Sequence, residues 1–113
     1  MQVLFKSRHS HGGDLRQLVE RRLRFVLRRL SVFVPRAEVQ LSDLNGPRGG
    51  IDKRCQLELR TDGGGTVVVT SVAGDWRTAL DHALARAVRF LLRQRRRGQD
   101  TRRLRQRNPA FEF

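Results

Sequence analysis

The 113-residue chain is short of acid, of cysteine and of long apolar runs, and each shortage excludes something. Its 11 Asp and Glu face 24 Lys and Arg, a formal net charge of +13 at pH 7. Such a chain repels itself unless a polyanion neutralises it, so nucleic acid or an anionic membrane is the expected partner. The single cysteine, Cys55, leaves no internal disulfide and fits a reducing compartment. The opening MQVLFKSRHSHGG has no apolar export core, and no window approaches the roughly 18 apolar residues of a membrane span. A soluble, cytoplasmic chain is expected. Lysine is scarce as well, since 22 of the 24 cations are arginine. Codon usage in a GC-rich genome accounts for that choice of cation equally well, and the planar arginine fork, which bonds phosphate through two donors and stacks on bases, also suits RNA.

What is present reads as one α+β domain. Residues 2–8 alternate weakly, as a strand does, until Gly12-Gly13-Asp14 breaks the pattern and Asp14 with Gln17 forms a capping-box spacing. From Leu15 to Leu30 the residues Leu15, Val19, Leu23, Val26, Leu27 and Leu30 share one helical face, and Pro35 marks the latest end of that helix. Residues 36–43 and 51–60 alternate apolar and polar, Asp62-Gly63-Gly64-Gly65 is a hairpin turn, and 66–73 is a β-branched strand. Asp75 is the N-cap of a second helix, whose buried stripe is Trp76, Leu80, Ala83, Leu84, Ala87, Val88 and Leu91. The order β-α-β-β-β-α predicts a two-layer sandwich: a four-stranded sheet with both helices on one face, the first two strands parallel and the rest antiparallel. The domain is expected over 1–95, followed by a basic, disordered tail over 96–113 in which apolar periodicity is lost.

The charge is unevenly placed. Residues 32–74, which hold three strands, have no net charge, whereas 14–31 carries +4, 75–93 carries +2 and 94–113 carries +5. On the second helix His82, Arg86, Arg89 and Arg93 fall within roughly a 60° stripe away from the core. No acid interrupts it, and Arg96 and Arg97 prolong it. On the first helix Arg21, Arg24 and Arg28 point outward. Arg22 and Arg29 lie on the flank of the apolar arc, with stems on the core and guanidinium groups at the groove between helices. Together these residues predict a cationic platform that follows a phosphate backbone. Membrane binding is disfavoured, because both apolar stripes are consumed by the sheet.

Other candidate sites fall away. The loop NGPRGGIDKR at 45–54 has glycines and cations, but no helix follows it, so it matches neither of the common nucleotide-phosphate motifs. It is the tip joining two strands, with or without Arg48, Lys53 or Arg54 touching RNA. His9 and His11 lack the further ligands that a metal needs. Cys55 alternates inward with Leu57, and Trp76 belongs to the core stripe. Asp75 and Asp81 are too isolated for paired-carboxylate chemistry, so no enzyme, cofactor, metal or small-molecule substrate is expected.

Three stretches carry a resemblance: L-R-x-x-V-x-x-R-L at Leu15–Leu23, D-x-N-G-x-R-G-G-x-D-K-R-C at Asp43–Cys55, and G-D-W-x-x-A-L-D-x-A-L-x-R-A-x-R-F-L-x-R at Gly74–Arg93. With the initial Met1-Gln2, this ordered set resembles the ribosome hibernation promoting factors, also called ribosome-associated inhibitors or sigma-factor modulation proteins. The resemblance covers about residues 1–97 and implies a fold like that of double-stranded-RNA-binding domains. It implies binding to the small ribosomal subunit and its rRNA in the decoding channel, where tRNA and mRNA would otherwise lie, so that translation stops and idle ribosomes persist in stationary phase or stress. It places the family's basic contacts on Arg22, Arg86, Arg89 and Arg93, with Lys53 a further one. Phe90 stands where relatives often carry Gln, and the tail is basic where some relatives end acidic. The length matches a short form without the domain that pairs ribosomes, a monomer when free. Two rival expectations are a general RNA-binding module or chaperone without a defined ribosomal site, and a protein-interaction adaptor.

Overall fold

The computed structural model describes residues 1–7, 13–44 and 52–107. Its elements follow the expected order: β1 (Gln2–Ser7), α1 (Gly13–Val26), β2 (Arg36–Asp43), β3 (Lys53–Thr61), β4 (Gly65–Ala73) and α2 (Trp76–Arg107). The sheet order is β1-β2-β3-β4. β1 pairs parallel with β2, while β2–β3 and β3–β4 pair antiparallel.

Period-two alternation sets which face is buried. Ala37, Val39 and Leu41 on β2, Cys55, Leu57 and Leu59 on β3, and Val67 and Val69 on β4 all point to one side and are buried. Val19, Leu23 and Leu27 descend on them from the first helical segment, and Ala79, Leu80, Ala83, Leu84, Ala87 and Leu91 from α2, to make one core. Both helices therefore cover the same sheet face, as two amphipathic helices with nothing else to bury against must.

α1 ends at Val26 rather than near Leu30. Beyond it the backbone tightens: the Leu30 and Phe33 amides bond the carbonyls three residues back, Leu27 at 2.9 Å and Leu30 at 3.0 Å. β-branched Val32 and Val34 ahead of Pro35 disfavour a longer α-helix. Leu27 and Leu30 keep their buried places within these turns, so the apolar pattern outlasts the helix that it suggested.

The second helix departs from expectation in the other direction. Residues 96–107, expected as part of a disordered tail, continue α2 without a break to Arg107, and the boundary drawn at residue 95 falls inside that helix. The packed segment Trp76–Leu91 supplies the costly nucleus, after which each added residue gains a bond. Arg, Gln and Leu propagate a helix well, and Gly98 is a single weak position. At 32 residues the helix is about 48 Å long. Residues 108–113 of the expected tail lie outside the described residues.

The β2–β3 connection closes where the Leu44 amide donates to the Asp52 carbonyl at 2.9 Å. Its tip, with Arg48, lies outside the described residues, as do His9 and His11. The β3–β4 turn is held more elaborately. Gly63 and Gly65 adopt φ of 78° and 80°, which favours glycine. The Asp62 amide donates to the Phe33 carbonyl at 2.8 Å, and the Thr61 hydroxyl donates to the Gly65 carbonyl at 2.6 Å. A Cβ on Gly64 would stand 2.8 Å from Thr61 Oγ1 and 3.2 Å from Gln94 Oε1. The turn is thereby seated between the end of the first helical segment and the middle of α2.

This seating makes the turn sensitive to bulk. Gly64→Ala must displace Thr61 or the turn, and a destabilisation of about 1–2 kcal/mol is expected in urea unfolding. The start of α2 is sensitive to pH instead. Asp75 caps the helix, accepting from the Thr78 amide at 2.8 Å and the Thr78 hydroxyl at 2.9 Å, and these bonds hold its carboxyl below the ordinary range. A depressed folded pKa means that the capping contribution is full above the unfolded value and lost as pH falls through the folded one. Asp75→Ala therefore melts below wild type at neutral pH, and the gap closes as the pH drops below about 4.

Candidate nucleic-acid interface

The outward faces of the two helices carry the arginines. Arg21, Arg24, Arg28 and Arg29 are exposed on or just after α1, and His82, Arg86, Arg89, Arg93, Arg96 and Arg97 are exposed on α2. The pairing of sequence-expected contacts differs from one residue to the next. Arg89, Arg93, Arg96 and Arg29 hold no ion pair among the described residues. They are the groups most available to an incoming phosphate.

Arg22 does what its flank position requires, but it has a partner that sequence spacing does not reveal. Its Nη2 lies 2.9 Å and its Nε 3.2 Å from Asp81 Oδ1, so the guanidinium fork ties α1 to α2 across the groove. Both side chains are about one-third exposed. Solvent screening keeps the pair's net contribution small, yet it orients one cation of the platform. Arg86 also has a structural use: its Nη1 donates to the Thr70 carbonyl of edge strand β4 at 3.0 Å. Arg86 thus reaches the sheet edge from the same row as Arg93, while Arg89 and Arg96 lie further round α2, and all four are exposed. Arg28 donates to the Phe25 carbonyl at 2.8 Å and places its guanidinium 4.3 Å from the centre of the Phe25 ring. Arg24 bonds Glu20 Oε1 at 3.2 Å and the Met1 carbonyl at 3.1 Å.

Lys53 is the expected contact furthest from a free cation. It is ion-paired with Asp43, rests 5.3 Å from the centre of the Trp76 ring, and its side chain is 21% exposed. It sits with the first turn of α2 at one end of the helical layer, away from the long arginine row.

The opposite sheet face mixes its charges, with Lys6, Arg36, Arg54 and Arg60 against Glu38 and Glu58. Register places Arg36 beside Arg60 and Glu38 beside Glu58, so that four residues of alternating sign line one shallow depression. Lys6 Nζ bonds Glu38 Oε1 at 2.7 Å. That bond, reinforced by the nearby positive charges of Lys6, Arg36 and Arg60, holds the Glu38 carboxyl below its ordinary range. The molecule is therefore electrically two-sided, uniformly cationic along the outer row of α2 and of mixed sign on the sheet.

Cys55 is fully buried, and burial pushes its thiol up to about 12, so it remains protonated and acts as a small core side chain. Trp76 packs against the core, as its place in the apolar stripe suggested. Among the described residues no group of three His, Cys, Asp or Glu is placed to hold a metal, and no helix is long and apolar enough to cross a membrane.

Sequence reasoning missed the Arg22–Asp81 bond, the anchoring of Arg86 on Thr70, and the exposure of Phe25 and Phe90. The first two join residues 59 and 16 positions apart, which only the tertiary fold brings together. The third had a signal: both phenylalanines fall off the apolar stripe of their helices.

The same fold recurs in solved structures. A ribosomal subunit interface protein from Coxiella burnetii superposes with a TM-score of 0.70 at 13% identity, covering 84% of this chain and 98% of that one. The N-terminal domain of Thermus thermophilus Protein Y superposes with a TM-score of 0.62 at 23% identity, covering 82% of this chain and 98% of that one. Comparison with curated protein sequences gives no match. The sequence itself matches, over residues 4–99, the family described as Sigma 54 modulation protein / S30EA ribosomal protein. Its members are ribosome-associated modulation proteins and are not known as enzymes. With nearly the whole folded domain inside that match, the chain belongs to the Sigma 54 modulation protein / S30EA ribosomal protein family, the hibernation-factor family its motifs resemble.

Proposed function

We propose that this protein is a cytoplasmic translation inhibitor that works by occupancy. It binds the small ribosomal subunit through ribosomal RNA in the decoding channel and keeps tRNA and mRNA out. The observation that carries the reading is the one-sided arginine surface: Arg89, Arg93 and Arg96 stand outward on α2, unpaired among the described residues, beside Arg28 and Arg29 of the first helical segment. Family membership supports a ribosomal target over RNA at large. A folded, rigid body suits a structured RNA channel, because a preorganised array of cations loses little entropy on binding.

Within this reading the contacts have distinct weights. Arg89 and Arg93 meet phosphate directly, with Arg96 and Arg97 extending the row along α2. Arg28 and Arg29 reach a second stretch of backbone, and Arg22 contributes field and position while held by Asp81. Arg86 spends one donor on Thr70 and offers the rest. Lys53 takes part only if RNA replaces Asp43, so it is the weakest contact of the set. The helical continuation to Arg107 carries the charge beyond the body of the domain as an arm along the RNA.

Arg89→Ala with Arg93→Ala tests this without disturbing the groups that hold the fold together. Co-sedimentation with small subunits is expected to weaken, and the slope of log affinity against log salt to shrink by about 0.7–0.9 for each phosphate left without its arginine. Adding Arg86→Ala should release the protein further while far-ultraviolet circular dichroism stays unchanged. Wild-type binding by the triple variant would overturn the placement of the interface. Failure of excess tRNA to compete would favour a general RNA-binding module over a decoding-channel ligand, and ribonuclease-resistant capture by a protein would favour an adaptor.

A further inference from the structure

Two of the exposed large apolar side chains are aromatic, and their surroundings differ. Phe25, 60% exposed, already has the Arg28 guanidinium 4.3 Å from its ring centre. Phe90, 46% exposed, has no cation or ring contact among the described residues. It follows Arg86 by four residues and precedes Arg93 by three and Arg97 by seven, so these four share one side of α2. Its neighbours in the helix, Ala87 and Leu91, are fully buried, and the core is complete without the outward part of the Phe90 ring. An aromatic ring set among arginines, with nearly half its surface open to solvent, has the composition of surfaces that hold unpaired nucleic acid: cations for the backbone and a flat face for a base.

We infer that Phe90 is a stacking platform for an unpaired RNA base, flanked by Arg89 and Arg93 on the phosphates either side. The inference rests on the RNA-binding function proposed above and adds to it the kind of RNA that this face selects. In a duplex each base is covered above and below by its neighbours, and the A-form minor groove displays sugars and base edges rather than faces. A ring on the convex surface of a helix therefore gains nothing from paired RNA but gains a stacking partner from a splayed base. The anchoring of Arg86 on Thr70 fixes one cation of this face before RNA arrives. A protein socket would use the bulk of the side chain, whereas a base needs its planarity, and this difference separates the two kinds of partner.

The test uses the full chain and measures fluorescence anisotropy with a short unpaired RNA and with an RNA duplex of the same length. Wild type, Phe90→Ala, Phe90→Leu, Phe90→Trp and the Arg89→Ala/Arg93→Ala pair are compared after thermal melts have established that each is folded. Phe90→Ala and Phe90→Leu are expected to lose about tenfold in affinity for unpaired RNA, with duplex binding and the salt slope unchanged. Phe90→Trp should restore binding. The arginine pair should lose affinity for both RNAs and lower the slope. Wild-type binding of unpaired RNA by Phe90→Ala overturns the inference, as does full activity of Phe90→Leu, which would indicate an apolar protein contact, or an equal loss on duplex. If the arginine pair also binds both RNAs like wild type, it is the RNA-binding function itself that fails.

Discussion

The structure depends on two amphipathic helices sharing one face of a four-stranded sheet. Leu23 and Leu27 from one helical segment and Leu80, Leu84 and Leu91 from the other are fully buried against Val39, Leu41, Leu57 and Leu59. That burial uses every apolar stripe the chain possesses. Whatever the helices carry on their remaining surface must then face solvent on the same side of the molecule, and what they carry is arginine. The cationic surface is thus a consequence of how the core closes. The sheet's other face, left to the strands, holds the mixed charges of Arg36, Glu38, Glu58 and Arg60.

Electrostatics refines this division. The acids of the helical layer are few and mostly engaged: Asp81 with Arg22, Glu20 with Arg24, Asp75 with the Thr78 amide and hydroxyl. They hold particular arginines or the helix start in place and leave the outer row of α2 uncompensated. Such a surface concentrates polyanions from a distance and then binds them in register, so association is fast at low salt and falls as counterions compete. Phe90, as the stacking platform inferred above, adds a short-range preference that screening by salt does not remove.

Much of this was legible in the sequence because the relevant signals are local. Alternation of Ala37, Val39 and Leu41, and of Cys55, Leu57 and Leu59, names the buried face of each strand, and a 3.6-residue period names the helix stripes. The order of elements then leaves few topologies, and the observed pairing is the expected one. The outward arginines followed from the same periodicity. Long-range choices were not legible. Nothing near Arg22 announces Asp81, and nothing near Lys53 announces that its ammonium settles over Trp76 beside Asp43. The extent of the helices also escaped, for opposite reasons: backbone stiffness before Pro35 ends α1 early although Leu27 and Leu30 stay buried, while helix propagation carries α2 past the last core residue with no apolar stripe to mark it.

The proposed function requires the helical face, rather than the sheet face, to meet RNA. Arginine-selective modification with a glyoxal reagent, read by peptide mass spectrometry with and without small ribosomal subunits, tests it most directly. Arg89 and Arg93 are expected to become protected in the complex while Arg36 and Arg60 react as they do in the free protein. Protection of Arg36 and Arg60 with Arg89 and Arg93 still reactive would contradict it.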